Sequence, residues 1–406
     1  MVAALALTET VSFGVLFYAF TVFVEPMRSE LGWSTATISG AFSVGLVAAG
    51  LMAPLVGRWV DRHGARGLMT LGSLASAAGV AMWSQVSSPF AFYLVWLWLG
   101  IASAMVLYEP AFALIAVWFE RRRSAALTLL TFVAGFASVI FIPLSALLVE
   151  RLGWREALLA LAGMLLVVTV PPHAWLLRRS PADVGQEVDG GAREGDAPRR
   201  RPPAPSMDAG DAFATPTFAR LTFAFSVSMA VIMALAVHLV PLLTRRGLDP
   251  LEAAAAAGAI GLVVLPGRLV FTPLGSVLPR GLVTAAIFAA QALGVLALLL
   301  VDGAWGVWAF VALYGAGFGA ITPARAALVA EAFGARAYGA IAGRMMLVGT
   351  AARAAAPLAF GALVSVGVSD AVGLVLALAL LLAAAVAVAP VGRSRPCRDA
   401  DPSARR

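Results

Sequence analysis

Residues Ser34 to Val86 read STATISGAFSVGLVAAGLMAPLV, then GRWVDRHGAR, then GLMTLGSLASAAGVAMWSQV. Two apolar runs, Ser34 to Val56 and Gly67 to Val86, flank a ten-residue segment that holds three Arg, one Asp, one His and two Gly. Each run reaches the roughly 20 residues that an α-helix needs to cross about 30 Å of hydrocarbon, and the charged segment returns the chain on one side of a bilayer. The alternation continues in both directions. Further apolar runs cover approximately Ala3 to Val24, Phe90 to Trp118, Ser124 to Val149, Glu156 to Leu177, Leu221 to Leu243, Leu251 to Val277, Gly281 to Val301, Trp305 to Ala330, Tyr338 to Val364 and Asp370 to Ala389, twelve in all. With 61% hydrophobic and 13% charged residues over 406, the chain reads as an all-α membrane protein of twelve transmembrane helices.

Charge sets the orientation. The formal net charge is +7, and all 29 basic residues are Arg. In a soluble chain such an excess would point to nucleic acid, but its distribution removes that partner. Arg28, Arg151, Arg155, Arg245 and Arg246 fall between runs on one side; Arg268, Arg325, Arg344 and Arg353 fall within runs; every other Arg lies on the opposite side. By the positive-inside rule that Arg-rich side is cytoplasmic, and both termini lie there.

The longest polar stretch, Arg178 to Pro216, is rich in Pro, Gly, Asp and Arg and divides the runs six and six. It predicts an N-terminal six-helix half over 1–178, a flexible cytoplasmic linker over 179–216, a C-terminal half over 217–390 and a disordered cytoplasmic tail over 391–406. Arg199, Arg200 and Arg201 in the linker read as a solvated, topogenic charge run, with docking on anionic lipid headgroups the weaker alternative. The first apolar run lacks the basic region and cleavage site of a secretory signal, so it reads as a permanent span, with an upstream start left open.

Cys397 is the single cysteine, and His63, His173 and His238 are scattered along the chain. No thiol pair or zinc spacing follows from them. Phosphate loops, nucleophile elbows and dinucleotide fingerprints are likewise missing from suitable settings. The expectation is a protein that is not an enzyme and carries no metal or cofactor.

Gly57 to Arg66 resembles the signature between the second and third helices of the major facilitator superfamily, with Gly57, Asp61, Arg62, Gly64 and Arg66 at matching positions. The physical sense is direct. Gly57 lets two helices approach, Gly64 permits a tight turn, and Asp61 can accept bonds from an exposed helix N-terminus or a nearby Arg. By this resemblance the five residues form part of a cytoplasmic gate. Trp118 to Gly135, WFERRRSAALTLLTFVAG, is similar to the segment entering the fifth helix of monocarboxylate transporters and of the oxalate:formate antiporter group. GWSTATISGAF from Gly32 and GWREAL from Gly153 are similar to bacterial members of that group. The resemblance implies two six-helix halves with nested inverted repeats, a midplane site exposed alternately to each side, and a monomer in a bacterial inner (plasma) membrane. Drug:proton antiporters of the superfamily carry an Arg in the fourth helix and a GP motif in the fifth; WLWLGIASA from Trp96 and GFASVIFIP from Gly135 have neither.

Two cations stand deep within apolar runs. An ionised side chain at bilayer depth costs several kcal/mol, about 2.5–3.5 on insertion scales, so Arg268 and Arg353 predict a negatively charged substrate. Members of the oxalate:formate group present one cation from the eighth helix and one from the eleventh to substrate carboxylates; by resemblance these are Arg268 and Arg353, although the family residue in the eleventh is Lys. Arg offers a planar fork that grips a carboxylate through two parallel bonds. Two alternatives stay open: each Arg pairs internally to hold the bundle, or Arg268, which follows Gly267 as Arg58 follows Gly57, is a pseudo-symmetric copy of a loop residue. Glu9 and Glu109 are the acidic counterparts, able to neutralise an Arg or to carry a coupled proton, and Pro110 weakens the helix beside Glu109. Tyr18, Tyr108 and Tyr314 offer hydroxyl donors at cavity depth. Arg325, Glu331 and Arg344 read as a cytoplasmic gate or packing network, and His238 as an interface residue.

The reading is a secondary active transporter of a small organic anion, a mono- or dicarboxylate, working by proton symport or anion exchange among membrane lipids. An efflux pump for an amphipathic small molecule is the alternative. A non-transporting sensor would need a folded signalling domain, for which the linker is too short and polar.

Overall fold

The structure, a computed structural model, describes residues 1–190, 206–365 and 369–392. Arg199 to Arg201 and the tail from residue 393, with Cys397, lie outside the described residues. Twelve long helices follow one another: Val2–Leu31, Thr35–His63, Ala65–Trp83, Pro89–Trp118, Arg123–Leu152, Trp154–Trp175, Pro216–Arg245, Pro250–Val277, Arg280–Leu300, Gly303–Phe333, Tyr338–Ser365 and Asp370–Val388. Among the described residues, nine of them are long and apolar enough to cross a membrane. Their exposed apolar side chains include Leu51, Leu55, Val167, Leu262 and Val386. In hydrocarbon an unpaired backbone N–H or C=O costs several kcal/mol, so a spanning chain of this composition has helix as its solution.

Local chemistry sets the ends. Ser34, Ser88 and Thr215 accept the N–H groups of Thr37, Ala91 and Phe218 at 3.0, 3.3 and 3.1 Å, each capping the helix that follows. The helices overrun the apolar runs, the second reaching His63 and the first Leu31. Gly57 to His63 is therefore the final stretch of a helix, and the turn to the third helix is made at Gly64, whose φ of +81° suits glycine.

Three helices of the first half are interrupted. The first widens into a π-turn at Gly14–Tyr18, with the Phe141 ring against Gly14. The fourth breaks at Leu107, extended at φ −83° and ψ −170°, three residues before Pro110. That is where a proline ring would strike the carbonyl of residue 106 in an unbroken helix. The fifth relaxes at Gly135 and Phe136. The stretch expected to be a flexible linker is folded at both described ends: Pro181–Val184 and Val188–Gly190 form 3₁₀ turns, and Ala209–Phe213 a short helix. A capping box, with the Ser180 N–H and hydroxyl both donating to Asp183, starts the first of these.

The chain divides into two compact units, Met1–Asp196 with Ala337–Ala351, and Ala197–Arg336 with Ala352–Arg406. Within the first, the second helix packs on the fourth, the third on the fourth and sixth, and the first on the sixth. Within the second, the eighth packs on the tenth, the ninth on the tenth and twelfth, and the seventh on the twelfth. Each pairing is the former shifted by six helices. The core of the first unit is aromatic, with Phe20, Trp83, Phe92 and Trp96 in edge-to-face and tilted contact. That of the second is built on Leu298, Phe310, Tyr314 and Leu381.

One polar pin crosses the first core. His173 Nδ1 lies 2.8 Å from Ser73 Oγ and Nε2 lies 2.9 Å from Thr8 Oγ1, tying the sixth helix to the third and first. All three side chains are buried. Replacing His173 by Ala orphans the buried Ser73 hydroxyl at about 1–3 kcal/mol and leaves Thr8 only its bond to the Leu5 carbonyl; H173A is expected to lower the detergent Tm by several degrees, against a smaller change for S73A, measured by thermal unfolding.

Candidate functional site

The signature segment is held at its helical end. A Cβ on Gly57 would overlap the Gly339 carbonyl, so the second helix and the start of the eleventh meet backbone to backbone. That approach brings Asp61 Oδ1 and Oδ2 to 2.8 Å from the N–H groups of Gly339 and Ala340. These are among the first N–H groups of the eleventh helix, which have no intrahelical acceptor and carry the positive end of its dipole. Gly64 packs against Arg179, and Arg62 and Arg66 are exposed. Sequence reasoning offered a helix N-terminus or a nearby Arg as the partner of Asp61 but not which helix, since a backbone N–H looks the same in every residue.

The acidic side chains belong to the same unit. Glu9 is 0% exposed, and among the described residues neither of its carboxyl oxygens has a hydrogen-bond partner. Glu109, half-buried in the first turn after the Leu107 break, is within electrostatic reach of it. Tyr108, at the start of that second piece of the fourth helix, stacks on Phe112 with centroids 4.9 Å apart and meets Phe13 at 4.4 Å. Tyr18 closes the π-turn of the first helix and is half-buried, its ring edge-on to Phe17. The break and the widened turn thus place two tyrosines and a carboxyl where helix geometry is interrupted.

The cations belong to the second unit. Arg268 is 9% exposed within the eighth helix and donates from Nε to the Gly319 carbonyl of the tenth at 3.0 Å. It is helical, nine residues short of the helix end at Val277. Arg353 lies in the eleventh helix, half-buried, and among the described residues its guanidinium has no hydrogen-bond or ion-pair partner. Tyr314 is only 3% exposed and stacks on Phe310 inside the apolar core, its hydroxyl without a hydrogen-bond partner among the described residues. Glu331 pairs with Arg280 of the ninth helix at 2.8 Å, a partner that spacing along the chain did not announce. Arg325 is buried in the tenth helix, and the His238 ring lies 4.7 Å from that of Phe360; Arg344 is exposed on the part of the eleventh helix that belongs to the first unit.

Comparison with known proteins agrees with this architecture. The chain is 26% identical over 325 residues to monocarboxylate transporter 13 of Bos taurus, covering 80% of this chain and 71% of that protein. It is 31% identical over 154 residues to a fujikurins efflux protein of Gibberella fujikuroi, covering 36% of this chain and 31% of the relative. The fold matches the E. coli fucose:proton symporter with a TM-score of 0.73 at 13% identity over 97% of this chain and 98% of the other. It also matches the human organic anion transporter MFSD10 with a TM-score of 0.70 at 18% identity, over 95% and 97% of the two chains. The sequence pattern of the Major Facilitator Superfamily extends over residues 5–357, and with twelve helices in two six-helix sets the chain belongs to that superfamily of multi-pass membrane transporters.

Proposed function

We propose that the protein moves a small organic anion, a mono- or dicarboxylate, by alternating access, with Arg353 as the principal ligand of the carboxylate and Arg268 as its support. The observation that carries this reading is the Arg353 guanidinium, half-buried in the eleventh helix and without a hydrogen-bond or ion-pair partner among the described residues. Burying a charge without a partner is expensive, and a substrate carboxylate that supplies two charge-assisted bonds offsets the cost. Arg268 has Nε committed to Gly319, so its role is to hold the eighth and tenth helices in register and add positive potential. The similarity to a monocarboxylate transporter over most of both chains supports the substrate class. Tyr18 and Tyr108 add hydroxyl donors; Tyr314, enclosed in the core, contributes packing.

Glu9 is the preferred proton carrier. An ionised carboxylate with no donor costs several kcal/mol inside a protein, so its charge state is tied to what else occupies the bundle. Asp61, on the two N–H groups of the eleventh helix, serves with Gly57, Arg62, Gly64 and Arg66 as a cytoplasmic gate; Arg325 and Glu331 on the tenth helix, and Arg344 separately on the eleventh, serve as gate or packing residues. The placement of Arg supports both termini in the cytoplasm, and the resemblance of Gly32 to Phe42 and Gly153 to Leu158 to bacterial members of the group supports a bacterial inner (plasma) membrane. Efflux of an amphipathic compound is the second reading, favoured by the likeness to a fungal efflux protein and by the Phe13, Tyr108 and Phe112 cluster.

Uptake of a panel of labelled carboxylates into proteoliposomes, with and without a pH gradient, separates these readings. R353A is expected to lower carboxylate uptake by roughly 100-fold or more, the loss of about 3 kcal/mol of charge-assisted bonding, with R353K partly active; unchanged uptake in R353A favours the amphipathic substrate. E9Q is expected to abolish the stimulation by a pH gradient while leaving exchange of anion for anion in place. For D61N the expectation is a raised rate of maleimide labelling at cysteines placed on the cytoplasmic side, since the amide carries no charge and its NH2 cannot accept one of the two N–H bonds from the eleventh helix.

A further inference from the structure

The segment after the sixth helix folds back over cytoplasmic turns of its own unit. The Trp118 indole N–H donates to the Arg178 carbonyl at 3.1 Å, and Asp189 then presents its carboxylate to three successive backbone N–H groups, those of Glu120, Arg121 and Arg122, at 3.1, 3.0 and 3.1 Å. These groups lead into the fifth helix, whose first turn has no side-chain cap of its own. Arg123 closes the other side of the turn, donating to the carbonyls of Phe119 and Ala116 at the end of the fourth helix, at 2.9 and 3.1 Å. The fifth helix therefore borrows its N-terminal acceptor from a residue almost 70 positions later in the chain, and it is the negative charge that a helix N-terminus favours.

The backbone is bent to make this contact. Asp189 is the only non-glycine residue with positive φ among the described residues, at +68°, a conformation that persists only where its surroundings enforce it. Burial opposes the Asp189 charge, and the three N–H bonds outweigh it, holding the carboxyl below its usual range. In the second unit the other end of the same stretch meets the corresponding turn, between the tenth and eleventh helices: the Met207 N–H donates to the Phe333 carbonyl at 2.9 Å, and Asp208 lies 3.7 Å from Arg336.

We propose that Asp189 is a positioning residue of the transport cycle: by gripping the turn at residues 120–122 it anchors the far end of the helical piece Tyr108–Trp118 and limits how far that piece can swing about the break at Leu107. The piece is rigid, 11 residues long, and carries Glu109 and Tyr108 at its hinge end. This deepens the role given above to Tyr108 and rests on it only for the transport measurement.

The test uses the full chain in nanodiscs with Cys397 replaced by Ser. In D189A, amide hydrogen exchange at residues 120–122 should rise by roughly tenfold or more, while exchange in the sixth helix stays unchanged. Spin labels on cysteines at Val117 and Gly67, both exposed, should give a broader distance distribution in D189A than in the wild type, with D189N intermediate. Unchanged exchange at 120–122 overturns the grip; raised exchange with an unaltered distance distribution reduces Asp189 to a helix cap and overturns the positioning role. In proteoliposomes the maximal rate should fall several-fold with KM within about twofold, and an unaltered maximal rate also overturns it. A wild type that moves no carboxylate sinks the substrate assignment and leaves the exchange and spin-label results to decide the latch. If D189A fails to fold, D189N carries the same measurements.

Discussion

A bilayer offers no hydrogen bonds, so every backbone N–H and C=O that enters it has to find a partner within the protein. Twelve helices satisfy most of these groups internally. What remains are chiefly the helix ends and interruptions, and several charged side chains of this chain answer them, while one reaches a carbonyl inside a helix. Asp61 meets the first N–H groups of the eleventh helix, Asp189 those leading into the fifth, Arg123 the last carbonyls of the fourth, and Arg268 a carbonyl within the tenth. In each case a formal charge answers backbone dipoles, an interaction worth more away from water than in it.

The same economy makes the exceptions informative. Glu9, with neither oxygen bonded, and Arg353, both without a partner among the described residues, are two charge-bearing side chains whose requirements the described fold does not meet. A structure that satisfies a histidine as fully as His173, between Ser73 and Thr8, has the means to satisfy others. Leaving a carboxyl and a guanidinium open is consistent with partners that come and go, a proton for one and a carboxylate for the other. The interrupted first, fourth and fifth helices provide the compliance such a cycle needs, since a break at Leu107 or a π-turn at Gly14–Tyr18 bends more readily than continuous helix.

Much of the architecture was legible in the chain. Twelve apolar runs, the side on which Arg accumulates and the Gly57 to Arg66 signature follow from composition and spacing, because hydrocarbon thickness and helix rise are fixed lengths. Helix ends were less legible: amphipathic extensions carry the second helix through Asp61 to His63, beyond where hydropathy stops. The Glu109–Pro110 pair announced the bend in the fourth helix, whereas nothing announced the π-turn in the first. The stretch expected to be flexible is folded at its described ends, where Ser180, Asp183 and Asp189 make local and remote caps that composition alone reads as solvated polarity.

Residue types and their depth along the chain determined that this is a polytopic membrane transporter with charges buried against their cost, since those facts depend only on lengths and transfer free energies. Which charge meets which partner was decided by tertiary structure alone. Arg280 rather than a neighbour on its own helix pairs with Glu331, Gly319 occupies Arg268, the core encloses Tyr314, and Arg353 finds no partner among the described residues. Hydrogen bonds act over about 3 Å, and only the packed arrangement of helices brings atoms remote in sequence to that distance.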